Sequence, residues 1–288
     1  MNSRLQAWLV VFNLMLVGIS MAKSRAEIYD SGQYATLPGV KLWFIDTAGS
    51  GVPIVLLHAN TGTSAYWESQ ITKFSRAGYR VVAFDRRGWG KSIADPTTGS
   101  QPGTIAEDLE ALADYLKFDR FHLVGVAGGG FAALDYAGWR SQRLRSLVIA
   151  ASTGKVAEKE MEEFTARIEI PELRKLPAVY REVSASYRGA NPDGTKRWMD
   201  IDAHARRSGA TEQPLRTPNT FAKLEAIATP TLVIAAGADL LAPPALMRLW
   251  AEHMKDHEWA MVPDAGHAIA WEQPDAFNEK VIAFLSRH

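Results

Sequence analysis

The sequence predicts an α/β fold, a mostly parallel, twisted sheet flanked by helices, with a helical insertion. Short apolar runs recur along the chain, and segments with helical periodicity separate them. Several of the runs are apolar at every position, which is typical of parallel strands covered on both faces. Hydrophobic residues make up 47% and charged residues 22% of the chain, the balance of an ordinary globular protein.

Length, charge and cysteine content narrow the possible functions. The 288 residues allow one large domain, or one domain with an insertion. Lys and Arg together number 32, as do Asp and Glu, so no basic surplus favours a nucleic-acid partner. The absence of cysteine excludes disulfides, cysteine-based metal sites and a thiol nucleophile. The balanced charge predicts no nucleic-acid partner, and we also expect neither a metal nor a cofactor.

Residues 1–22 are predicted to be a secretory signal peptide. An uncharged, apolar stretch runs from Leu5 to Ala22, and its last residues, Ser20, Met21 and Ala22, are typical of a cleavage site. The alternative is an uncleaved membrane anchor, for which the apolar run is short. We expect a periplasmic or secreted protein, and contact with a membrane only if this segment is retained.

Strands and helices alternate through the predicted core, residues 33–153 and 229–288. The continuous run at 53–58 predicts a buried strand, and the apolar residues at 105, 109, 112 and 116 form a helical stripe. Further strands are predicted at 40–45, 79–85, 121–125, 144–150, 231–235 and 259–262, and helices at 64–77, 105–116, 131–139 and 275–285. This repeated alternation indicates parallel strands joined by crossover helices.

The segment 154–228 interrupts that alternation. It is charged and helix-rich, and it carries four aromatic residues: Phe164, Tyr180, Tyr187 and Trp198. We interpret it as a helical cap lying over one end of the sheet. The alternative is a set of additional helices packed on the side of the core with no role at the site.

The residues that follow the strands are candidates for function, because chemistry in open parallel sheets gathers at the carboxyl ends of the strands. Five segments occupy such positions: His58-Ala59-Asn60, Asp85-Arg86-Arg87-Gly88-Trp89-Gly90, Gly125-Val126-Ala127-Gly128-Gly129, Gly237-Ala238-Asp239 and Gly266-His267. We expect them to meet at one edge of the sheet.

In this order the segments resemble those of the α/β-hydrolase family, and the resemblance runs from about Tyr34 to the end of the chain. It implies a hydrolase acting on a small ester or related carbonyl substrate. Asp239 and His267 stand in the positions of the acid and the general base. The resemblance also implies an oxyanion hole formed by the backbone amides of Asn60 and Gly128.

The chain departs from the family pattern at Ala127, where the nucleophilic serine would stand. The neighbouring glycines keep the backbone pattern of the turn, but a methyl group cannot form an acyl-enzyme. Either a serine has been replaced by design, or the alanine is natural. In the second case His267 and Asp239 could drive lyase chemistry or proton abstraction without a nucleophile, or the protein could be a ligand-binding pseudoenzyme. As a serine hydrolase the chain should be nearly inactive.

Two further residues are candidates for lining the substrate site. His58 precedes the predicted oxyanion loop, but a structural histidine bonded to the backbone fits this position better. Trp89 could line the entrance, and ordinary packing explains it equally well. Asp85 and Arg87 are expected to brace loops rather than react. The sequence does not predict the oligomeric state.

Overall fold

The computed structural model describes residues 29–288. The predicted signal peptide therefore lies outside the described residues. The strands within residues 29–288 are β1 Gln33–Leu37, β2 Val40–Asp46, β3 Pro53–Leu57, β4 Arg80–Phe84, β5 Ile93–Ala94, β6 Phe121–Val126, β7 Leu144–Ala150, β8 Thr231–Ala236 and β9 His257–Val262. They form one nine-stranded sheet in the order β1-β2-β4-β3-β6-β7-β8-β9, with β5 paired to β2.

The sheet is mostly parallel, as the sequence predicts. Strands β3, β4, β6, β7, β8 and β9 pair in parallel, whereas β1, β2 and β5 join one side of the sheet by antiparallel pairing. The carboxyl ends of the parallel strands consequently share one edge, and the loops after β3, β4, β6, β8 and β9 emerge there.

Helices cover both faces of the sheet. They are α1 Glu68–Arg76, α2 Ile105–Tyr115, α3 Gly128–Arg140, α4 Lys159–Ile168, α5 Ala178–Glu182, α6 Ala185–Ala190, α7 Pro192–Ala205, α8 Phe221–Glu225, α9 Pro244–Ala251, α10 Ile269–Glu272 and α11 Pro274–Leu285. The hydroxyl of Thr104 caps α2 by accepting from the Glu107 amide. Helix α3 begins at Gly128, before the predicted start at residue 131, because β6 passes through one turn residue directly into the helix.

Two apolar clusters occupy the opposite faces of the sheet. Alternate residues of β3 divide between them, with Val55 and Leu57 on one side and Ile54 and Leu56 on the other. A strand with one exposed face alternates polar and apolar residues, whereas both faces of β3 are covered. All of its positions are therefore apolar, which accounts for the unbroken apolar run in the sequence. Each fully buried side chain of this kind contributes roughly 1.5–3 kcal/mol.

The segment between β7 and β8 holds helices α4 to α8 and contacts the loops at the carboxyl edge. The carbonyl of Ala205 accepts from the Gly90 amide at 2.8 Å, and that of Glu182 accepts from Ala268 at 2.9 Å. Farther along, Lys223 of α8 pairs with Asp135 of α3 at 2.7 Å, so this end of the segment packs on the side of the core. The function of the segment as a cap stays a prediction.

None of the helices within residues 29–288 combines the length and the hydropathy needed to cross a membrane.

Candidate active site

The turn between β6 and α3 holds Ala127 in a conformation that L-residues rarely adopt, with φ of 48° and ψ of −119°. Such a backbone costs about 1–3 kcal/mol and persists only where its surroundings enforce it. Here the Ala127 amide donates to the Ala150 carbonyl at 3.0 Å, and its own carbonyl accepts from Gly130 at 3.0 Å. The side chain of Ser152 donates to the same carbonyl at 2.8 Å.

Two glycines around this turn have no room for a side chain. A β-carbon on Gly129 would lie 2.2 Å from the carbonyl oxygen of Leu57, and one on Gly125 would lie 2.6 Å from that of Gly129. The close approach of α3 to the ends of β3 and β6 therefore requires glycine. The strained conformation of Ala127 follows from this packing and does not depend on a hydroxyl group.

His267 and Asp239 form a hydrogen-bonded pair, although the two residues are 28 positions apart in sequence. Nδ1 of His267 lies 2.8 Å from Oδ2 of Asp239. The other carboxylate oxygen accepts from the backbone amides of Leu241 at 2.8 Å and Ala242 at 2.9 Å. The carboxylate is fully buried and the histidine side chain is 11% exposed. Both oxygens of Asp239 are therefore satisfied, and its orientation toward the imidazole is fixed.

The pair shifts the titration of both groups. Burial opposes ionisation of Asp239, but the charge and hydrogen bond of His267 and two backbone amides outweigh it and lower the carboxyl pKa. Burial likewise disfavours the imidazolium, but the charge and hydrogen bond of Asp239, followed by the charges of Glu182 and Glu272, raise the pKa of His267. The site therefore favours an imidazolium beside a carboxylate, as a general base requires after it takes a proton.

Glu272 holds the loop that carries His267. Its carboxylate accepts from the Gly266 amide at 3.0 Å and from the Ser184 amide at 3.1 Å. One buried side chain thus ties the histidine loop to the segment between β7 and β8. Sequence reasoning missed Glu272, because a single glutamate in a short helix carries no distinguishing pattern.

The two amides predicted to form the oxyanion hole belong to loops that touch each other. A β-carbon on Gly128 would lie 2.3 Å from the side-chain oxygen of Asn60, so these residues are in direct contact. Among residues 29–288, neither the Asn60 amide nor the Gly128 amide donates a hydrogen bond. Both donors are thus available to an oxygen atom of a ligand.

His58 and Trp89 occupy different environments. His58 is fully buried, with Nδ1 2.7 Å from the Ala59 carbonyl and Nε2 accepting from the Arg86 amide at 3.1 Å. Burial, assisted by the charge of Arg86, lowers its pKa well below the ordinary value. This geometry fits a structural histidine that bonds to the backbone of neighbouring loops, and not a residue that lines the substrate site. Trp89 donates to the Asn60 carbonyl at 2.7 Å and lines a cavity.

That cavity is a narrow cleft of about 20 Å³, with room for little more than one water molecule, and it lies beside the predicted oxyanion loops. Its lining includes Asn60 and Gly128 but neither Ala127 nor His267. The complete lining is Asn60, Arg86, Trp89, Ile105, Gly128, Phe131, Lys155, Glu212, Gln213 and Leu215. The cavity is therefore a candidate for holding one small group of a substrate next to the reacting carbonyl.

The bracing residues Asp85 and Arg87 make several contacts. Asp85 accepts from the amide and hydroxyl of Ser64, both at 2.7 Å, and from the Lys91 amide at 2.8 Å. Arg87 pairs with Asp108 at 2.6 Å.

No cluster of three or more histidine or acidic side chains suited to a metal occurs in the part of the chain that the structure describes.

Comparisons with known proteins agree with this fold. The profile of the alpha/beta hydrolase family matches residues 54–280. A protein of Variovorax paradoxus with the provisional name carbamate hydrolase RutD is 30% identical over 250 residues, which cover 82% of this chain and 92% of the relative. A 2-hydroxy-6-oxononadienedioate/2-hydroxy-6-oxononatrienedioate hydrolase of Klebsiella pneumoniae is 27% identical, covering 84% of this chain and 90% of its own.

A solved structure shows the same architecture. The enol-lactonase of Burkholderia xenovorans superposes with a TM-score of 0.74 at 24% identity, over 88% of this chain and 99% of the other. The profile match, the identity to curated relatives and the nine-stranded fold lead to one conclusion: the chain belongs to the α/β-hydrolase family.

Proposed function

We propose that this protein is a hydrolase scaffold for small esters or related carbonyl substrates, and that it lacks only the nucleophilic hydroxyl at position 127. The observation that carries the proposal is the backbone of Ala127, which keeps φ at 48° although its side chain can do no chemistry. A turn of this kind presents the side chain of its central residue at the end of the strand. A hydroxyl placed there would attack a carbonyl held at the Asn60 and Gly128 amides.

Each remaining group has a definite task in acyl transfer. His267 would accept the proton of the attacking hydroxyl at Nε2, because Nδ1 is occupied by Asp239. Asp239 would fix the tautomer of the ring and stabilise the imidazolium. The Asn60 and Gly128 amides would bind the oxyanion of the tetrahedral intermediate. With alanine in place, the protein can bind and polarise a substrate but forms no covalent intermediate.

A second candidate is chemistry driven by His267 without a nucleophile. Its support is the integrity of the pair, since the bond to Asp239 is formed while the nucleophile is absent. Nε2 of His267 has no hydrogen-bond partner among residues 29–288, so it can act on water or on a substrate C–H bond.

The relatives support the reaction class. One is named for carbamates, another for the hydrolysis of an oxo-dienedioate, and a structural neighbour is named for an enol-lactone. All three names describe compounds with a carbonyl group.

We also propose that residues 1–22 direct export, so that the reaction takes place in the periplasm or outside the cell. Mass determination of the mature amino terminus tests that point.

The function is tested with a panel of small esters and four proteins: the chain itself, Ala127→Ser, His267→Ala and the double variant. We expect no serine-type turnover by the chain itself and turnover by Ala127→Ser that the second substitution abolishes. Turnover by the chain itself that His267→Ala abolishes would support the second candidate. Inertness of all four proteins, with binding retained, would indicate a ligand-binding pseudoenzyme and contradict the proposal.

A further inference from the structure

Arg86 is a buried arginine with unused hydrogen-bond donors. It follows β4 and is only 3% exposed. Its Nη2 donates to the Ala59 carbonyl at 3.3 Å and to the side-chain oxygen of Asn60 at 3.0 Å. Nε is buried without a partner, and Nη1 donates to no group within residues 29–288. Three of the five N–H donors of the guanidinium are therefore unassigned.

The adjacent arginine shows what a satisfied guanidinium looks like in this fold. Arg87 is buried to the same degree but forms an ion pair with Asp108 at 2.6 Å. In the described part of the chain, no carboxylate lies within 4.0 Å of Arg86. Burial, moderated by the charge of Glu212, lowers the pKa of Arg86 to about 10, so the group still carries its charge at neutral pH. A buried charge without a counterion is costly unless a ligand pairs with it.

Arg86 lines the narrow cleft beside the predicted oxyanion loops, whose free space of about 20 Å³ admits only a small ligand group. Its guanidinium stacks on Trp89 at 4.5 Å from the ring centroid, which holds the planar group in place. The lining contains a second cation, Lys155, and one acid, Glu212. Ile105, Phe131 and Leu215 supply apolar surface. The cavity is thus small, partly apolar and positively charged overall.

We propose that this cavity binds a carboxylate group of the substrate through Arg86, so that the preferred substrates are short carbonyl compounds that carry a free carboxylate. This inference rests on the proposed function, because it assumes that the reacting carbonyl sits at the Asn60 and Gly128 amides. The Arg86 guanidinium contacts Asn60 directly. In a substrate bound at both places, the carboxylate and the reacting carbonyl would therefore be separated by only a few bonds. Nη2 already donates both of its hydrogens, so the carboxylate would accept a charge-assisted hydrogen bond from Nη1.

The competing explanation is that Arg86 only anchors the oxyanion loop through Ala59 and Asn60. The two explanations differ in which ligands are affected. Loss of loop anchoring weakens charged and neutral ligands alike, whereas loss of a carboxylate partner weakens only the charged one.

The test measures binding by isothermal titration calorimetry to the chain itself, which cannot cleave the ligands through a serine. The probes are monomethyl succinate and its neutral analogue dimethyl succinate. We expect the half-ester to bind about tenfold or more tightly than the diester, the value of one charge-assisted hydrogen bond. Arg86→Met should reduce this preference to within about twofold. Arg207→Met, which removes an exposed arginine outside the cavity, should leave it unchanged.

Glu212→Gln provides a second variant that does not depend on a buried residue. Glu212 is exposed, so the substitution should fold, and removing the acid from the lining should tighten half-ester binding while leaving the diester unaffected. The inference would be overturned if the unaltered chain bound the half-ester and the diester with equal affinity, or bound neither of them. It would also be overturned if Arg86→Met lowered the affinities for both probes by the same factor. Because binding is measured without turnover, failure of Ala127→Ser to hydrolyse esters would contradict the proposed function alone.

Discussion

The carboxylate of Asp239 lies 2.8 Å from Nδ1 of His267, and two backbone amides hold it in that position. The strand order explains the encounter. Asp239 follows β8 and His267 follows β9, and these strands are parallel neighbours whose carboxyl ends share an edge. The pair is therefore a consequence of sheet topology, and its electrostatic effect can be measured without a substrate.

Asp239→Asn should lower the pKa of His267 relative to that in the unaltered chain. The substitution removes the largest influence that favours the imidazolium and leaves the burial that disfavours it, while the weaker effects of Glu182 and Glu272 remain. Histidine ring signals in NMR spectra recorded across pH report this value, and His267→Gln identifies the relevant signal. An unchanged titration would show that the pair does not control the charge of the ring.

The same substitution should alter the pH dependence of stability. The lowered pKa of Asp239 contributes stability that is complete above the ordinary carboxyl pKa and is lost as pH falls through the lowered value. The raised pKa of His267 contributes stability that is complete below about 6.5 and is lost as pH rises through the raised value. The free energy of unfolding in urea should therefore differ most from that of Asp239→Asn in the range of about pH 4 to 6.5. At about pH 9 the difference between the two proteins should be smaller.

Ala127→Gly should stabilise the protein by roughly 1 kcal/mol. Glycine adopts the backbone conformation of residue 127 without strain, and this gain exceeds the entropy that glycine adds to the unfolded chain. Urea unfolding at neutral pH measures the difference. Ala132→Gly, in the interior of helix α3, is a control that should destabilise by about 0.5–1 kcal/mol or more. Destabilisation of equal size by both substitutions would show that Ala127 is not strained.

Glu272→Ala should destabilise the protein by about 2–4 kcal/mol, because it leaves the buried Gly266 amide and the half-buried Ser184 amide without their carboxylate acceptor. The exposed Glu279 on helix α11 offers a matched control, and Glu279→Ala should change the free energy of unfolding by less than about 0.5 kcal/mol. Similar values for the two variants would mean that the Glu272 carboxylate does not hold the histidine loop.

The sequence predicts the parallel strands well, because burial on both faces produces unbroken apolar runs such as Ile54 to Leu57. Shorter antiparallel elements are harder to predict. Strand β5, Ile93–Ala94, has only two residues and is exposed, so it has neither length nor a hydrophobic pattern to mark it. Strand β1, Gln33–Leu37, buries only two of its five residues. Propensity is a weak guide for such segments, since tertiary pairing decides their structure.

The candidate site divides in the same way. His267 and Asp239 could be predicted because each follows a buried strand in a recognisable motif. Arg86 stands between two motif residues, Asp85 and Arg87, and an arginine after a strand reads equally well as exposed or buried. Its lack of a counterion depends on long-range packing that local patterns do not encode. The same applies to Glu272, whose two partners lie 6 and 88 residues away.

The central claim is that the site lacks a hydroxyl and nothing else, and covalent labelling tests it most directly. A fluorophosphonate that reacts with activated serines is added to three proteins: the unaltered chain, Ala127→Ser, and Ala127→Ser combined with His267→Ala. Mass spectrometry then locates the adducts. We predict an adduct on the peptide containing position 127 in the single variant, none in the unaltered chain, and a rate at least about a thousandfold lower in the combination. No adduct in Ala127→Ser, or equal labelling with and without His267, would contradict the account.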